Sequence, residues 1–253
     1  MALSTATWDV SGRRVLVTGA SGGIGGAIAL RLAQHGADVA LTYAHHRAEA
    51  EGVADSIRTP GRRAILLEGD LADPAIPGDL LARTIDALGA CDILVANAGL
   101  GRQLSWDAVD LDTWDRTMAV NLRAPWLLTQ AALPGMITRG FGRILYVSSV
   151  AALTGGIVGP HYAASKAGLH GLMHHLASRV ADKGVTVNTI APALIAGTRM
   201  LPVDPAHPAA LPAPIPVGRL GTVDEVAEMA LAMLSNGYLI NKVITVDGGL
   251  YPS

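Results

Sequence analysis

Residues 13–36 read RRVLVTGASGGIGGAIALRLAQHG, and this stretch decides the fold. The apolar run 13–18 predicts a short buried strand, and GAIALRLAQHG predicts a helix. Between them lies a turn with the spacing GxxxGxG, formed by Gly19, Gly23 and Gly25, in place of the more usual GxGxxG. Glycine lets a backbone approach a pyrophosphate, and a helix N-terminus offers N–H donors and partial positive charge. Glycine is abundant (29 of 253 residues), so the turn alone fits a plain strand–helix connection equally well.

The rest of the chain repeats the order of strand followed by helix. Further apolar runs predict strands at 38–43, 64–69, 91–96, 142–148, 184–190 and 242–246. Helical patterns lie near 24–35, 47–57, 78–88, 110–138, 162–182 and 223–235. Most of the strands are continuously apolar, which is typical of parallel strands buried on both faces. The alternation predicts one α/β domain over 1–253, a doubly wound, seven-stranded parallel sheet with helices on both faces.

Composition excludes several classes of function. Charged residues make up 16% of the chain and the net charge is −2, so we expect no nucleic-acid or membrane partner. Cys91 is the single cysteine, which rules out an intrachain disulfide, fits a reducing compartment and suggests a small core residue. The N-terminal sequence lacks the pattern of a signal peptide, and no uncharged apolar run has the length of a membrane span. We therefore expect a cytoplasmic protein.

Three polar residues point to proton transfer. Ser149, Tyr162 and Lys166 lie in SSVAALTGGIVGPHYAASKAG, residues 148–168. Tyr162 and Lys166 are four apart, so on a helix they share one face. A free phenol has a pKa of about 10, too high for acid–base work at neutral pH, and a nearby ammonium would lower it. A serine hydroxyl close to the phenol would polarise a substrate carbonyl. These three residues together could move a proton onto or off an oxygen, and that chemistry needs a partner that moves a hydride.

Both motifs together resemble the short-chain dehydrogenase/reductase family, and most of all its 3-oxoacyl-[acyl-carrier-protein] reductase branch. The resemblance covers nearly the whole chain, because further family motifs occur in the family's order: Asp70-Leu71, Asn97-Ala98-Gly99, Asn121 in MAVNL, and Val246-Asp-Gly-Gly249. It implies a Rossmann-type domain. It also implies that Tyr162 is the general acid in reduction and the base in oxidation, and that Lys166 lowers the Tyr162 pKa and holds the nicotinamide ribose. Ser149 would hydrogen-bond the substrate carbonyl, and Asn121 is the fourth catalytic residue.

The resemblance also implies a set of cofactor contacts. They are Gly19, Ser21, Gly23, Ile24, Gly25, Tyr43, Asp70, Leu71, Asn97, Ala98, Gly99, Tyr162, Lys166, Pro192, Ile195 and Thr198. Thr198 stands one residue later than the family's threonine, where this chain has Gly197.

The residues at the end of the second strand indicate which nicotinamide cofactor is preferred. The chain there is Thr42-Tyr43-Ala44-His45-His46-Arg47, with no acid before Glu49. An acid would favour NAD, whereas Arg47 with His45 or His46 would meet a 2′-phosphate. NADP(H) is therefore favoured over NAD(H). Two observations oppose this: many NADP-using relatives have arginine at the position of Gly22, and Arg47 fits a solvated helix position as well.

Asn121 lies inside a predicted helix, and Pro125 follows four residues later. Proline has no N–H, so it cannot form the helical hydrogen bond to the Asn121 carbonyl. That carbonyl needs another partner, and in the family it holds a water that relays protons to the lysine. The alternative is that Pro125 only kinks the helix.

Residues 192–216 hold seven of the fourteen prolines and match the family's substrate-binding loop. Its apolar character favours an apolar substrate over a sugar. We expect an NADPH-dependent carbonyl reductase, most similar to those acting on 3-oxoacyl thioesters of acyl carrier protein or coenzyme A. The alternatives are a dehydrogenase for another alcohol or ketone (polyketide, ring or sugar) and a non-catalytic cofactor-binding sensor or structural subunit.

Three further expectations concern surface residues. Arg143 and Lys183 match basic positions by which related reductases meet an acidic carrier protein, although solvated charges explain them as well. His170 and His174 are spaced to share a metal, but no further ligand is placed to complete a site, so no metal is expected. The family also implies a homotetramer that pairs the helices near 110–138 and 162–182, with a second interface at the C-terminal strand.

Overall fold

Seven parallel strands form one sheet at the centre of the computed structural model, which describes residues 9–59, 61–201 and 215–252. The strands are β1 (Arg14–Val17), β2 (Asp38–Tyr43), β3 (Ala64–Glu68), β4 (Ile93–Ala96), β5 (Gly142–Val147), β6 (Val185–Pro192) and β7 (Val243–Val246). Their order is β3-β2-β1-β4-β5-β6-β7. In β1, Val15 pairs with Val39 of β2 on one side and with Ile93 of β4 on the other.

Helices cover both faces of this sheet. They are α1 (Gly23–Gln34), α2 (Arg47–Arg58), α3 (Ile76–Leu88), α4 (Leu111–Met118), α5 (Ala124–Thr138), α6 (Ala151–Thr154), α7 (Pro160–Val180) and α8 (Val223–Ser235). One core packs α1, α2 and α8 on the sheet, and a second core packs α3, α5 and α7 on the opposite face. This arrangement explains the continuously apolar strands, because each contributes side chains to both cores.

The strand order reverses between β1 and β4. The chain leaves β1 towards β2 on one side, and after β3 it returns to the other side of β1. Connections that depart in opposite directions leave a crevice outside the carboxyl ends of the strands, where ligands bind in such sheets. The fold therefore places a binding site at the residues that follow β1 and β4.

The predicted doubly wound, seven-stranded sheet is confirmed. The helical stretch predicted near 110–138 is present, and a π-helical turn at Ala119–Arg123, which was not predicted, joins α4 to α5. The short α6 was not predicted. Of the proposed substrate loop, residues 202–214 lie outside the described residues.

Cys91 is buried in the second core, as predicted, and burial raises the pKa of its thiol to about 12. Among the described residues, every helix is too short or too polar to cross a bilayer.

Candidate active site

The glycine turn after β1 packs directly against the end of β4. Gly19 has a φ of +63°, and a Cβ there would lie 2.8 Å from the Ala98 Cα. A Cβ on Gly25 would lie 2.5 Å from the Gly19 carbonyl oxygen. The Asn97 side chain donates hydrogen bonds to the carbonyls of Thr18, at 2.9 Å, and Gly19, at 3.0 Å. Any side chain at Gly19 or Gly25 would therefore push the turn and β4 apart.

A cleft of about 520 Å³ opens at this point. Most of the predicted cofactor contacts line it: Gly19, Ser21, Gly23, Ile24, Gly25, Tyr43, His45, Asp70, Leu71, Asn97, Ala98, Gly99 and Thr198. The N-terminus of α1 faces it through Gly23. An elongated crevice at the strand switch point, with backbone N–H groups free of bulky side chains, fits a dinucleotide.

Five predicted cofactor residues are not in the lining of this cleft: Arg47, Tyr162, Lys166, Pro192 and Ile195. Pro192 and Ile195 are buried, and Ile195 packs into the core on the α8 side of the sheet. Arg47 donates to the Tyr43 hydroxyl at 3.2 Å, and that hydroxyl lies 3.1 Å from a Glu68 carboxylate oxygen. The predicted contact of Arg47 with a 2′-phosphate is therefore not supported by its position, whereas His45 and His46 both line the cleft.

Asp70, a predicted cofactor contact, lines the cleft. Its carboxylate accepts from the Ala72 N–H at 3.0 Å and from Arg116 at 3.0 Å. The Ala72 bond and the Arg116 guanidinium hold the pKa of Asp70 below its usual range. Arg116 lines the same cleft and was missed from the sequence, because it comes from α4, 46 residues further along the chain.

Ser149, Tyr162 and Lys166 meet where β5 ends and α7 begins. Tyr162 and Lys166 are 6% and 2% exposed, so both work in a nearly dry environment. The Lys166 ammonium donates to the Val147 carbonyl at 2.8 Å, and its Nζ lies 5.7 Å from the centre of the Tyr162 ring. A Cβ on Gly99 would lie 3.1 Å from the same Nζ, which places the lysine beside the cofactor cleft.

Burial dominates the pKa values of this pair. Burial raises the pKa of Tyr162, and a hydrogen bond with Ser149 lowers it by less. Burial also lowers the pKa of Lys166 to about 8. Loss of hydration dominates the pKa of both groups, and the Lys166 ammonium donates to the Val147 carbonyl; the lowering of the Tyr162 pKa by Lys166 therefore stays a prediction. Tyr162 thus stays protonated at neutral pH, as a proton donor must.

Asn121 is fully buried and fixes the loop that follows β4. Its amide oxygen accepts from the Leu100 N–H at 2.9 Å, and its amide nitrogen donates to the Leu100 carbonyl at 2.8 Å and to Ser165 at 3.0 Å. Asn121 is the middle residue of the π-helical turn, and the free Asn121 carbonyl stays a prediction. The side chain holds Leu100 against α7, a role that was not predicted from the sequence.

Arg143 and Lys183, the predicted carrier-binding pair, lie away from the cleft of their own chain. Arg143 stands at the start of β5, and about 20 Å of strand and turn separates it from Ser149. Its guanidinium lies 4.3 Å from the centre of the Phe141 ring and donates to the Gly142 carbonyl. Lys183 donates to the Arg179 carbonyl just before β6. Both lie at the amino ends of the strands, opposite the cleft, and their contact with a carrier protein stays a prediction.

The two spaced histidines have separate partners. His170 Nε2 lies 2.9 Å from the Ser148 hydroxyl, and His174 Nδ1 lies 2.6 Å from the Asn241 amide oxygen. Across the part of the chain that the structure describes, no three potential ligands gather into a metal site.

Comparison with known proteins agrees with this geometry. Residues 13–207 match the model of the short chain dehydrogenase family. The chain is 38% identical to an L-rhamnose 1-dehydrogenase (NAD(P)(+)) of Sphingomonas, covering 96% of this chain and 97% of that one. It is 37% identical to a 3-oxoacyl-[acyl-carrier-protein] reductase of Aggregatibacter actinomycetemcomitans, covering 93% and 98%. A short chain dehydrogenase from Burkholderia cenocepacia, solved in complex with NADP, superposes with a TM-score of 0.87 at 39% identity, covering 95% and 98%.

Proposed function

Because the chain belongs to the short-chain dehydrogenase family, we propose that it is an NADP(H)-dependent oxidoreductase that interconverts a ketone and its secondary alcohol. The observation that carries this proposal is the group formed by the buried Tyr162 and Lys166 with the half-buried Ser149 beside the nucleotide cleft.

Each residue of that group has a separate task. Tyr162 donates its proton to the substrate oxygen in reduction and takes it back in oxidation. Ser149 donates a hydrogen bond to the same oxygen as negative charge develops on it. Lys166 holds positive charge beside the phenol, which stabilises the phenolate left after proton transfer. The glycine turn, Asp70 and the segment Asn97–Gly99 would hold the nicotinamide cofactor, which supplies the hydride when bound.

Several apolar side chains support a substrate with an apolar portion. Leu153 on α6, Ile157 just after α6 and Met200 on the loop after β6 are each at least 37% exposed, and all three follow the carboxyl ends of β5 or β6, where the cleft opens. A Cβ on Gly101 would contact Tyr162 and Val158, so an apolar wall also adjoins the phenol. A polyhydroxylated substrate needs a hydrogen-bond partner for each buried hydroxyl, and this wall supplies few. We therefore favour a 3-oxoacyl thioester.

A sugar oxidation is the second candidate, because an L-rhamnose 1-dehydrogenase is among the similar proteins. In that reaction Tyr162 would act as the base that removes the proton of the anomeric hydroxyl. Ser149, Tyr162 and Lys166 can serve either oxidation or reduction, so the loops around the cleft determine which substrate binds.

A kinetic panel separates these possibilities. Acetoacetyl-coenzyme A and an acetoacetyl carrier protein would be tested with NADPH, and L-rhamnose and related aldoses with NADP⁺. We expect turnover of the thioesters, and a loss of about 10²- to 10⁴-fold in kcat for Tyr162→Phe, because a general acid contributes that much. Faster turnover of the aldoses would assign sugar oxidation. Tight cofactor binding without turnover of any substrate would instead identify a non-catalytic sensor.

A further inference from the structure

Arg199 reaches from the loop after β6 back to the glycine turn. Its Nη1 lies 3.4 Å from the Ser21 hydroxyl, and its Nη2 lies 3.9 Å from a Glu49 carboxylate oxygen on the first turn of α2. Arg199 also lines the cofactor cleft. Its guanidinium therefore lies between the turn after β1 and the start of α2, although 178 residues separate it from Ser21 in the chain.

This position is the end of the cleft where the ribose of an adenine dinucleotide is recognised. In doubly wound folds the residue at the end of the second strand reads the ribose 2′ position: an acid there takes the hydroxyl of NAD, and a nearby arginine takes the phosphate of NADP. Here the end of β2 presents Tyr43, His45 and His46 to the cleft. None of the three is an acid, so the site is not built for a ribose hydroxyl alone.

Two of the sequence positions expected to supply a cation do not place an arginine in the cleft, although His45 and His46 do line it. Gly22 has no side chain, and Arg47 donates to Tyr43 outside the lining of the cleft. Arg199 is the basic side chain that adjoins both Ser21, next to Gly22, and the first turn of α2.

We infer that Arg199 binds the 2′-phosphate of NADP(H) and so determines cofactor specificity; this rests on the proposed use of NADP(H). Its ion pair with Glu49 is long and both side chains are more than half exposed, so the pair contributes little stability. A phosphate dianion accepts two parallel guanidinium N–H bonds and is a stronger partner than this carboxylate. Glu49 keeps the Arg199 guanidinium near the site, and the phosphate replaces the Glu49 carboxylate as its partner.

Isothermal titration with 2′,5′-ADP and 5′-AMP tests the inference without catalysis. We expect the wild-type chain to bind 2′,5′-ADP more tightly than 5′-AMP. For Arg199→Gln, the Kd for 2′,5′-ADP should rise about 10- to 100-fold, the value of a hydrogen bond between charged groups, while the Kd for 5′-AMP stays constant. Arg199→Lys should keep part of the preference, since it keeps the charge and loses the paired donors. Glu49→Gln should tighten 2′,5′-ADP binding.

Two arginine controls complete the design. Arg62→Gln removes an exposed arginine that donates a hydrogen bond to the Gly36 carbonyl at the amino ends of the strands, opposite the cleft. It should therefore leave the Kd values for 2′,5′-ADP and 5′-AMP unchanged. Arg47→Gln should change 2′,5′-ADP binding less than Arg199→Gln. Unfolding midpoints confirm that each variant is folded.

Two results would overturn the inference and are distinguishable. If the wild type prefers 2′,5′-ADP and Arg199→Gln keeps that preference, another residue binds the phosphate and the proposed NADP(H) use stands. If the wild type binds both nucleotides equally, the proposed cofactor preference fails and the inference fails with it.

Discussion

Lys166 is a fully buried cation whose charge depends on pH within the working range of an enzyme. Burial lowers its pKa to about 8, whereas burial keeps Tyr162 protonated to higher pH. Ketone reduction needs both the phenol proton and the ammonium. We therefore expect kcat/KM for reduction to be constant near neutral pH and to fall as pH rises through about 8, where Lys166 loses its proton.

Lys166→Arg tests which residue produces that fall. A guanidinium stays charged at any pH used, so the decline should move to higher pH even though the larger side chain lowers the rate itself. Far-UV circular dichroism checks that the variant is folded. A decline at the same pH in wild type and variant would assign it to another group.

For single residues, the sequence predicted which side chains form the site better than it predicted how the surroundings of those side chains shift their pKa values. Ser149, Tyr162 and Lys166 were identified from spacing and resemblance, and the structure brings them together at the cleft. The direction of the Tyr162 pKa was not predictable, because it depends on how much water the folded site excludes. Arg116 and Arg199 were missed because each reaches its partner across a long stretch of chain, Asp70 for the first and Ser21 for the second.

At the scale of the elements, the π-helical turn Ala119–Arg123 places an irregular stretch of backbone at Asn121, a predicted catalytic residue. Pro125 lies just after it, is buried and has no N–H for the Asn121 carbonyl. Pro125→Ala restores that donor and favours regular α-helix, which would rotate Asn121 away from Leu100 and Ser165. We expect slower turnover and a shifted pH–rate profile, measured by steady-state kinetics over a pH series.

Pro134 provides a matched control, since it lies inside α5 but on an exposed position away from the site. Pro134→Ala should leave both the turnover and the pH profile unchanged. Wild-type kinetics in Pro125→Ala would show that this proline only bends the helix.

The elements themselves were largely predictable, because burial on both faces makes each strand a continuous apolar run. The π-helical turn was visible only as a proline four residues after a buried asparagine. The short α6 has four residues, AALT, which are too few for a helical period to show in the sequence.

For the whole molecule, exposed aromatic side chains mark two faces that we propose are covered by further copies of the chain. Trp126 on α5 is 38% exposed and Tyr238, just before β7, is 98% exposed. Both lie in the regions that the family resemblance implies as interfaces, and large apolar groups on a surface are typical of interfaces. We expect a homotetramer of about 104 kDa, four times the 26.0 kDa chain, by light scattering coupled to size-exclusion chromatography.

Trp126→Glu and Tyr238→Glu should each lower that mass, because each places a charge in a different buried interface. Trp106 is 81% exposed on the loop after β4, outside both faces, so Trp106→Glu should leave the mass unchanged. A wild-type mass near that of one chain would refute the assembly. If Tyr238→Glu alone lowers the mass, the C-terminal face is an interface and the α5 face is free. In that case only α7 of the same chain would hold the π-helical turn and Asn121.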